Sequence, residues 1–405
     1  MRKKQNKKKG AKVVAIAARQ ANLKRRIRRH LLSLGFQRSK DDGHLVVSGT
    51  GKDVIRALHL SQRNDRLRAN REFIADQLPL LSKHFASGTD VAPLRISPEL
   101  ELVSSGTWQS NLFRLASLTW AVPVSNGFGR RLRYLVWDRQ NKKLIGLIAI
   151  GDPVFNLSVR DGLIGWDVKA RAERLVNILD AYVLGALPPY NMLLGGKLVA
   201  ALIRTRDIYD DFTKTYGGTA GIISGREKNA RLLAITTSSS LGRSSVYNRV
   251  KLDKIEYLTA IGYTRGWGHF HIPDDLFFEL RNHLRDLKHP YADLHRFGQG
   301  PNWRLRTTRA ALSSLGFKED MLRHGVQREV FICEMATNAR KILLTGKGRP
   351  NLRTLLSVED VGRLAVQRWM IPRAERRPEY RQWQASGIKS LLAETRVLEK
   401  VAQMG

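Results

Sequence analysis

The sequence is poor in three things. Its 405 residues hold one cysteine (Cys333), only 36 Asp and Glu against 70 Lys and Arg, and no apolar run approaching a membrane span. A single thiol excludes an intramolecular disulfide and any zinc site built on several cysteines. A reducing, cytoplasmic setting is the simplest expectation. The best apolar stretch, 144–150, is interrupted by Gly146. The stretch 13–18 behind the basic N-terminus is too short for a secretion signal, so no membrane partner is expected. No Gly-x-Ser-x-Gly elbow occurs, which removes the usual argument for a serine hydrolase.

What the acids leave behind is a formal net charge of +34, which favours a polyanionic partner over a neutral small molecule. The charge is uneven. Residues 1–40 carry 15 Lys and Arg and no acid, leaving +19 on the remainder. With 42 % hydrophobic residues the chain can bury real cores, and wholesale disorder is excluded.

Periodicity and breakers suggest four segments: a basic arm at 1–24, disordered or helical; a helical domain at 25–122; a central α/β domain at 123–290; and a basic, mainly helical domain at 291–405. The fold class expected is mixed α+β, a central mixed sheet flanked by helical regions. A helix is expected from Val13, with Ile16, Leu23, Ile27, Leu31 and Leu34 on one side. Others are expected over 52–120, 167–181, 193–215, 273–287, 303–315, 361–369 (behind a Ser357 capping box) and 387–402. Strands are expected at 132–137, 144–150, 232–237, 257–264 and 327–333. Ser33-Leu34-Gly35-Phe36 recurs as Ser314-Leu315-Gly316-Phe317, read as a shared helix stop rather than a duplication.

Several stretches are candidates for chemistry. Between 151 and 197 glycines, prolines and charged residues crowd around β-type runs, as in loops that hold sites. Asp152, Arg160 and Asp161 are the catalytic candidates. Asp138, Asp167 and Asp180 accompany them, and two converging carboxylates could hold Mg²⁺ for phosphodiester cleavage; ion pairing with Arg160 and Arg171 is the competing explanation. Gly195, Gly196 and Lys197 at a helix start could present N–H groups and positive charge to an anion or nucleotide. They lack the first glycine and the Ser/Thr of a P-loop, and close helix–strand packing is the slightly better explanation of the two glycines. His269 and His271 would share one side of a strand, but no third metal ligand is forced, and no metal is assigned.

Phosphate contacts are expected from Lys3, Lys4, Arg25, Arg26, Arg28 and Arg29, and secondarily from Arg373, Arg376 and Arg377. Arginines alternate with aromatics at 263–271, at Phe297, Asn302, Trp303, Arg304 and Arg306, and from Arg368 to Trp383. Such mixtures suit stacking on bases, although core packing accounts for about half of the tryptophans. The order of strand, glycine-containing loop, helix, the strand 232–237 and then Tyr247 resembles the acyl-CoA-dependent N-acetyltransferase fold. That resemblance implies a pyrophosphate held at the helix N-terminus.

A broader resemblance rests on longer strings. They are Gly129-Arg130-Arg131-Leu132-Arg133-Tyr134-Leu135-Val136, Ile145-Gly146-Leu147, Gly151-Asp152-Pro153, Arg160-Asp161, Ile164-Gly165-Trp166 and Leu184-Gly185-Ala186-Leu187-Pro188-Pro189-Tyr190. Leu194-Gly195-Gly196-Lys197-Leu198, Trp267-Gly268-His269-Phe270, Gly300-Pro301-Asn302-Trp303-Arg304 and Arg323-His324-Gly325-Val326-Gln327-Arg328-Glu329-Val330 complete the set. Over residues 25–385 the chain resembles the DruA family, components of the Druantia anti-phage defence systems of bacteria. The resemblance implies action with partner proteins, including a large helicase-like one, and carries over no catalytic residue. The expected function is a nucleic-acid-binding defence component, with DNA ahead of RNA. An acyltransferase-like or nucleotide-using enzyme, a metal-dependent nuclease and a scaffold are the alternatives.

Overall fold

The computed structural model describes residues 2–38, 45–47, 51–218, 230–269, 271–293 and 303–395, with the backbone alone at 2–15, 38, 319 and 320. The helices are α1 (Arg2–Ser33), α2 (Lys52–Ala69), α3 (Arg71–Leu81), α4 (Trp108–Ser117), α5 (Ser158–Ile164), α6 (Val168–Arg174), α7 (Gly195–Leu202), α8 (Arg206–Tyr216), α9 (Asp274–Asp286), α10 (Trp303–Ser314), α11 (Ala339–Thr345), α12 (Val358–Ala365), α13 (Ile371–Arg376) and α14 (Ile388–Leu391). The strands are β1 (Phe36–Arg38), β2 (Leu45–Val47), β3 (Pro98–Leu102), β4 (Arg131–Asp138), β5 (Lys143–Gly151), β6 (Ile178–Ala186), β7 (Ala234–Ser238), β8 (Lys251–Leu252), β9 (Ile255–Glu256), β10 (Thr259–Tyr263) and β11 (Glu329–Glu334). The fold is mixed α+β, as the patterning suggests.

The chain forms two compact units, each assembled from separated stretches. Unit 1 comprises Met1–Arg66, Arg265–Gln327 and Thr395–Gly405; unit 2 comprises Leu67–Thr264 and Arg328–Glu394.

Unit 2 is built on a seven-stranded sheet in the order β10-β11-β7-β6-β5-β4-β3. Alternation along β4 sends Leu132, Tyr134 and Val136 into one hydrophobic cluster with α7 and α12, and Leu135 into another with α4. β5 is buried along nearly its whole length, which is why it reads as a continuous apolar run rather than an alternating one. All neighbouring strands are antiparallel except β6 and β7. A parallel pair needs a long crossover, here supplied through α7 and α8. Their ladder covers only Ile178↔Ala234 to Asp180↔Thr236. Beyond it the Tyr247 hydroxyl donates to Leu184 O at 2.7 Å. Cys333 lies on β11, where burial pushes its thiol up to about 12 and leaves it inert at neutral pH.

Unit 1 is mainly helical. α1 turns Leu23, Ile27 and Leu31 inward at four-residue steps, and Leu276, Leu280 and Leu284 on α9 and Ala311 and Leu312 on α10 are also buried. α1 and α10 both stop at a glycine with positive φ, Gly35 (79°) and Gly316 (75°). Phe317 N–H returns to Leu312 O at 2.9 Å, the six-to-one bond of a Schellman stop. The repeated Ser-Leu-Gly-Phe string is therefore a shared helix ending.

Some local expectations change. α1 begins at Arg2, not Val13, because the Lys, Ala and Gln of the arm are good helix formers. The helix expected over 167–181 ends at Arg174, and the chain becomes strand β6, whose buried apolar side chains pair with β5. The single helix expected over 193–215 is two, broken where extended Thr205 bridges to Leu356. Within 52–120, β3 is an edge strand opened by Pro98, a position where a missing N–H costs no ladder bond. Of the last expected helix, Ile388–Leu391 is helical, and 396–402 lies outside the described residues.

Candidate functional site

Thirteen of the 32 residues of α1 are Lys or Arg, and none is acidic. Burial of Leu23, Ile27 and Leu31 leaves Arg25, Arg28 and Arg29 exposed on the other faces. Cations at three- and four-residue steps on one helix repel each other, and no acid in the helix relieves them. Among the described residues none of these three forms an ion pair; Arg28 lies 5.8 Å from the Phe317 ring centre. Arg26 behaves differently. Its guanidinium pairs with Asp275 (3.4 Å) and Glu279 of α9, so it ties two helices together. Lys3 and Lys4 fall in the first turns of α1, and their side chains lie outside the described residues.

In unit 2, Arg373 donates to Met192 O (3.2 Å), Arg376 to Pro372 O (2.9 Å), and Arg377 lies 3.7 Å from Glu379. Each of the three thus spends part of its donor set locally. The arginine–aromatic mixtures divide in the same manner. Trp369 and Tyr380 are buried. Trp303 packs edge-on against Phe277, and Arg304 binds Asp274 and the Ile272 carbonyl. Trp267 stays exposed, with Arg309 6.0 Å from its ring centre. Phe297 and Asn302 lie outside the described residues.

The central candidates are held in separate contacts. Asp152 pairs with Arg130 (2.8 Å) and accepts its backbone N–H. Arg160, fully buried, donates twice to Asp161 and also to the carbonyls of Val154 and Phe155. Arg171 takes the other Asp161 oxygen at 3.0 Å. The carboxylate is thereby used in holding the loop 153–157. Asp138 accepts from Ser97 N, Gln140 N and the Tyr190 hydroxyl, and Asp167 caps α6 through Ala170 N. Asp180 accepts from the Thr236 hydroxyl at 2.7 Å, and burial pushes its carboxyl up to about 6. Among the described residues no three His, Cys, Asp or Glu side chains come together as a metal site.

A Cβ on Gly195 would stand 2.6 Å from Tyr190 O, so close packing demands that glycine; one on Gly196 would stand 3.0 Å from a Val246 methyl, a tight contact with an exposed side chain. The Lys197 ammonium donates to Asn248 O, and burial beside Arg249 and Arg368 pulls its pKa down. Tyr247 sits in a loop rather than on a short helix, its hydroxyl already bonded to β6.

His269 and His271 are not on a strand: β10 ends at Tyr263, and the segment bends into α9, so the alternation expected of two imidazoles does not apply. His271 is buried against Phe36, with its Nε2 3.2 Å from Met321 O, and burial pushes it down to about 3. His269 is pushed down to about 4 by burial and by Arg304. Sequence reasoning passes over Arg204. This buried side chain binds Glu334 O and Thr354 O and clamps the chain after α11. A lone arginine carries no local signal of such a role.

These features define a class: a strongly basic α+β protein with an acid-free helix on which Arg25, Arg28 and Arg29 are exposed, and whose central acids are committed to the fold. No helix among the described residues is long and apolar enough to cross a membrane. The family model described as "Druantia protein DruA" matches residues 49–345. A curated relative, the Druantia protein DruA of Escherichia coli (strain UMEA 4076-1), is 65% identical over 376 residues, 93% of this chain and 93% of that one. No solved structure matches. The chain belongs to the DruA family, and with that membership goes a role in Druantia anti-phage defence.

Proposed function

We propose that the chain is the nucleic-acid-binding component of its defence system, contacting DNA phosphates through α1 and working with other proteins of the system, a helicase-like one among them. The observation that carries this reading is the acid-free helix α1, on which Arg25, Arg28 and Arg29 are exposed without acidic partners among the described residues. Packing does not need these charges, and their mutual repulsion is relieved by a polyanion. Contacts of this kind read the backbone, so they supply affinity without sequence choice. An enzyme reading has less support, because Asp152, Arg160, Asp161 and Lys197 all have protein partners.

Fluorescence anisotropy of the full chain with labelled duplex DNA, and in parallel with duplex RNA, tests the proposal across stepped salt. The expected result is tight binding at low salt that weakens steeply as salt rises, with DNA bound at least as well as RNA. No binding to either at low salt would overturn it.

A further inference from the structure

The connection between α11 and α12, residues 346–357, has an unusual division of labour. No acid occurs from Met335 to Ser357, while Arg340, Lys341, Lys347, Arg349 and Arg353 all do. Arg340 is paired with Glu334. Lys347, Arg349 and Arg353 are exposed, and among the described residues none of the three forms an ion pair.

The backbone of this loop is fastened from behind. Arg231 Nη1 donates to Gly348 O at 2.6 Å, Asn338 Nδ2 to Arg349 O at 2.9 Å, and Arg206 Nη2 to Leu352 O at 3.3 Å. Arg204 Nη1 donates to Thr354 O at 2.7 Å and Nη2 to the Thr354 hydroxyl at 2.7 Å. Thr337 N–H bonds Asn351 O, and Asn351 N–H returns to the Asn338 side chain. Gly346 and Gly348, at φ 73° and 108°, supply the left-handed turns that let the carbonyls face the body. The loop's acceptors are turned inward onto fixed arginines and asparagines. Its cationic side chains are left outside on a backbone already ordered.

Such an arrangement suits a ligand that is itself a row of anions. Ordering a flexible basic loop costs conformational entropy at the moment of binding, and a loop fixed in advance avoids much of that cost. We propose that residues 346–354 form a second, preformed contact for duplex DNA phosphates, carried by Lys347, Arg349 and Arg353 and separate from α1. It rests on the reading of the chain as a DNA binder. The loop begins where the family-model match ends, at Thr345, so the match does not speak to it.

The test is the salt dependence of binding to a labelled duplex of scrambled sequence. It compares the full chain with K347A/R349A/R353A, with the charge-retaining K347R/R349K/R353K and with R25A/R28A/R29A. Losing about three phosphate contacts makes the plot of log affinity against log salt shallower by about two to three, and weakens binding tenfold or more at about 50 mM salt. The charge-retaining variant keeps the slope of the wild type, and the melting temperature of both loop variants stays at the wild-type value. An unchanged slope in K347A/R349A/R353A, beside a reduced slope in R25A/R28A/R29A, overturns this proposal and leaves the role of α1 standing. Loss of slope in the charge-retaining variant also overturns it, since a phosphate contact depends on charge. Absence of salt-dependent binding by the wild type overturns both readings together.

Discussion

The two units use their charges in opposite ways. Unit 1 carries 31 Lys and Arg against 12 Asp and Glu, and unit 2, nearly twice as long, 39 against 24. In unit 2 the charged groups nearest the core are spent on the fold. Arg160 and Asp161 fasten a loop, Arg204 clamps the chain after α11, and Asp138 and Asp180 take hydroxyl and N–H donors. In unit 1 the cations of α1 exceed the acids that reach them: Arg19 and Arg26 pair with acids of α9, Leu23, Ile27 and Leu31 are buried, and Arg25, Arg28 and Arg29 form no ion pair among the described residues. Gross charge alone therefore says little about where a polyanion binds. What matters is the charge left over after folding, to which Arg25, Arg28 and Arg29 on α1 and Lys347, Arg349 and Arg353 in unit 2 contribute.

The comparison can be broken most forcefully at Arg160. Its guanidinium is fully buried, so Asp161→Ala leaves a cation without its main partner. Such a loss costs about 3–5 kcal/mol, and urea unfolding of unit 2 should move to markedly lower denaturant. A change below about 1 kcal/mol would show that the pair is not structural.

Acid separates the units next. His269 and His271 are pushed below their ordinary 6.5, to about 4 and about 3, by burial, with Arg304 facing the first and His30 and the Met321 carbonyl facing the second. The unfolded chain then binds protons first. Their stabilisation of unit 1 is complete above pH 6.5 and is lost as pH falls through that window, by about 1.4 kcal/mol per pH unit for each group. Asp180 in unit 2 runs the other way. Its pKa is raised from 3.8 to about 6 by burial, opposed by Thr236 and Arg160, so its contribution is complete below 3.8 and is lost as pH rises through about 6. Hydrogen exchange between pH 6.5 and 4.5 should show α9 and α10 opening before β5 and β6. The reverse order would contradict the assignment.

Smaller effects sharpen the picture. Ser357 caps α12, its hydroxyl accepting from Asp360 N–H at 3.1 Å, and Ser357→Ala should lower the stability of unit 2 by about 1 kcal/mol in thermal unfolding. R373A/R376A/R377A should change the salt slope of DNA binding less than R25A/R28A/R29A does, because its arginines are partly engaged with Met192, Pro372 and Glu379. An equal or larger change would move the main phosphate contact to unit 2.

Much of this was legible from residue order, and the losses have physical causes. β4 and β5 announce themselves by alternation and by a long apolar run, and the stop at Gly316 by its hydrophobic neighbours. The 167–181 stretch reads as one helix although its second part is strand, because β6 is buried among other strands and its apolar positions follow contact with β5 rather than any local period. The units are not visible as units in the sequence, since unit 1 joins segments separated by residues 67–264 and 328–394 and unit 2 segments separated by 265–327, and no local signal carries that closure. The same holds for the candidate site. Arg25, Arg28 and Arg29 follow from composition and helical phase, whereas the partner of Arg26 lies about 250 residues away on α9. Asp152, Asp161 and Lys197 stand out in the sequence by their glycine- and proline-rich setting, and only the packing reveals that each is already bonded.

The most direct test of the central claim is the salt slope of R25A/R28A/R29A on duplex DNA, measured beside the wild type. The account predicts a wild-type affinity that falls steeply with salt and a variant slope smaller by about two to three, with an unchanged melting temperature. A variant that binds DNA with the wild-type slope would contradict it.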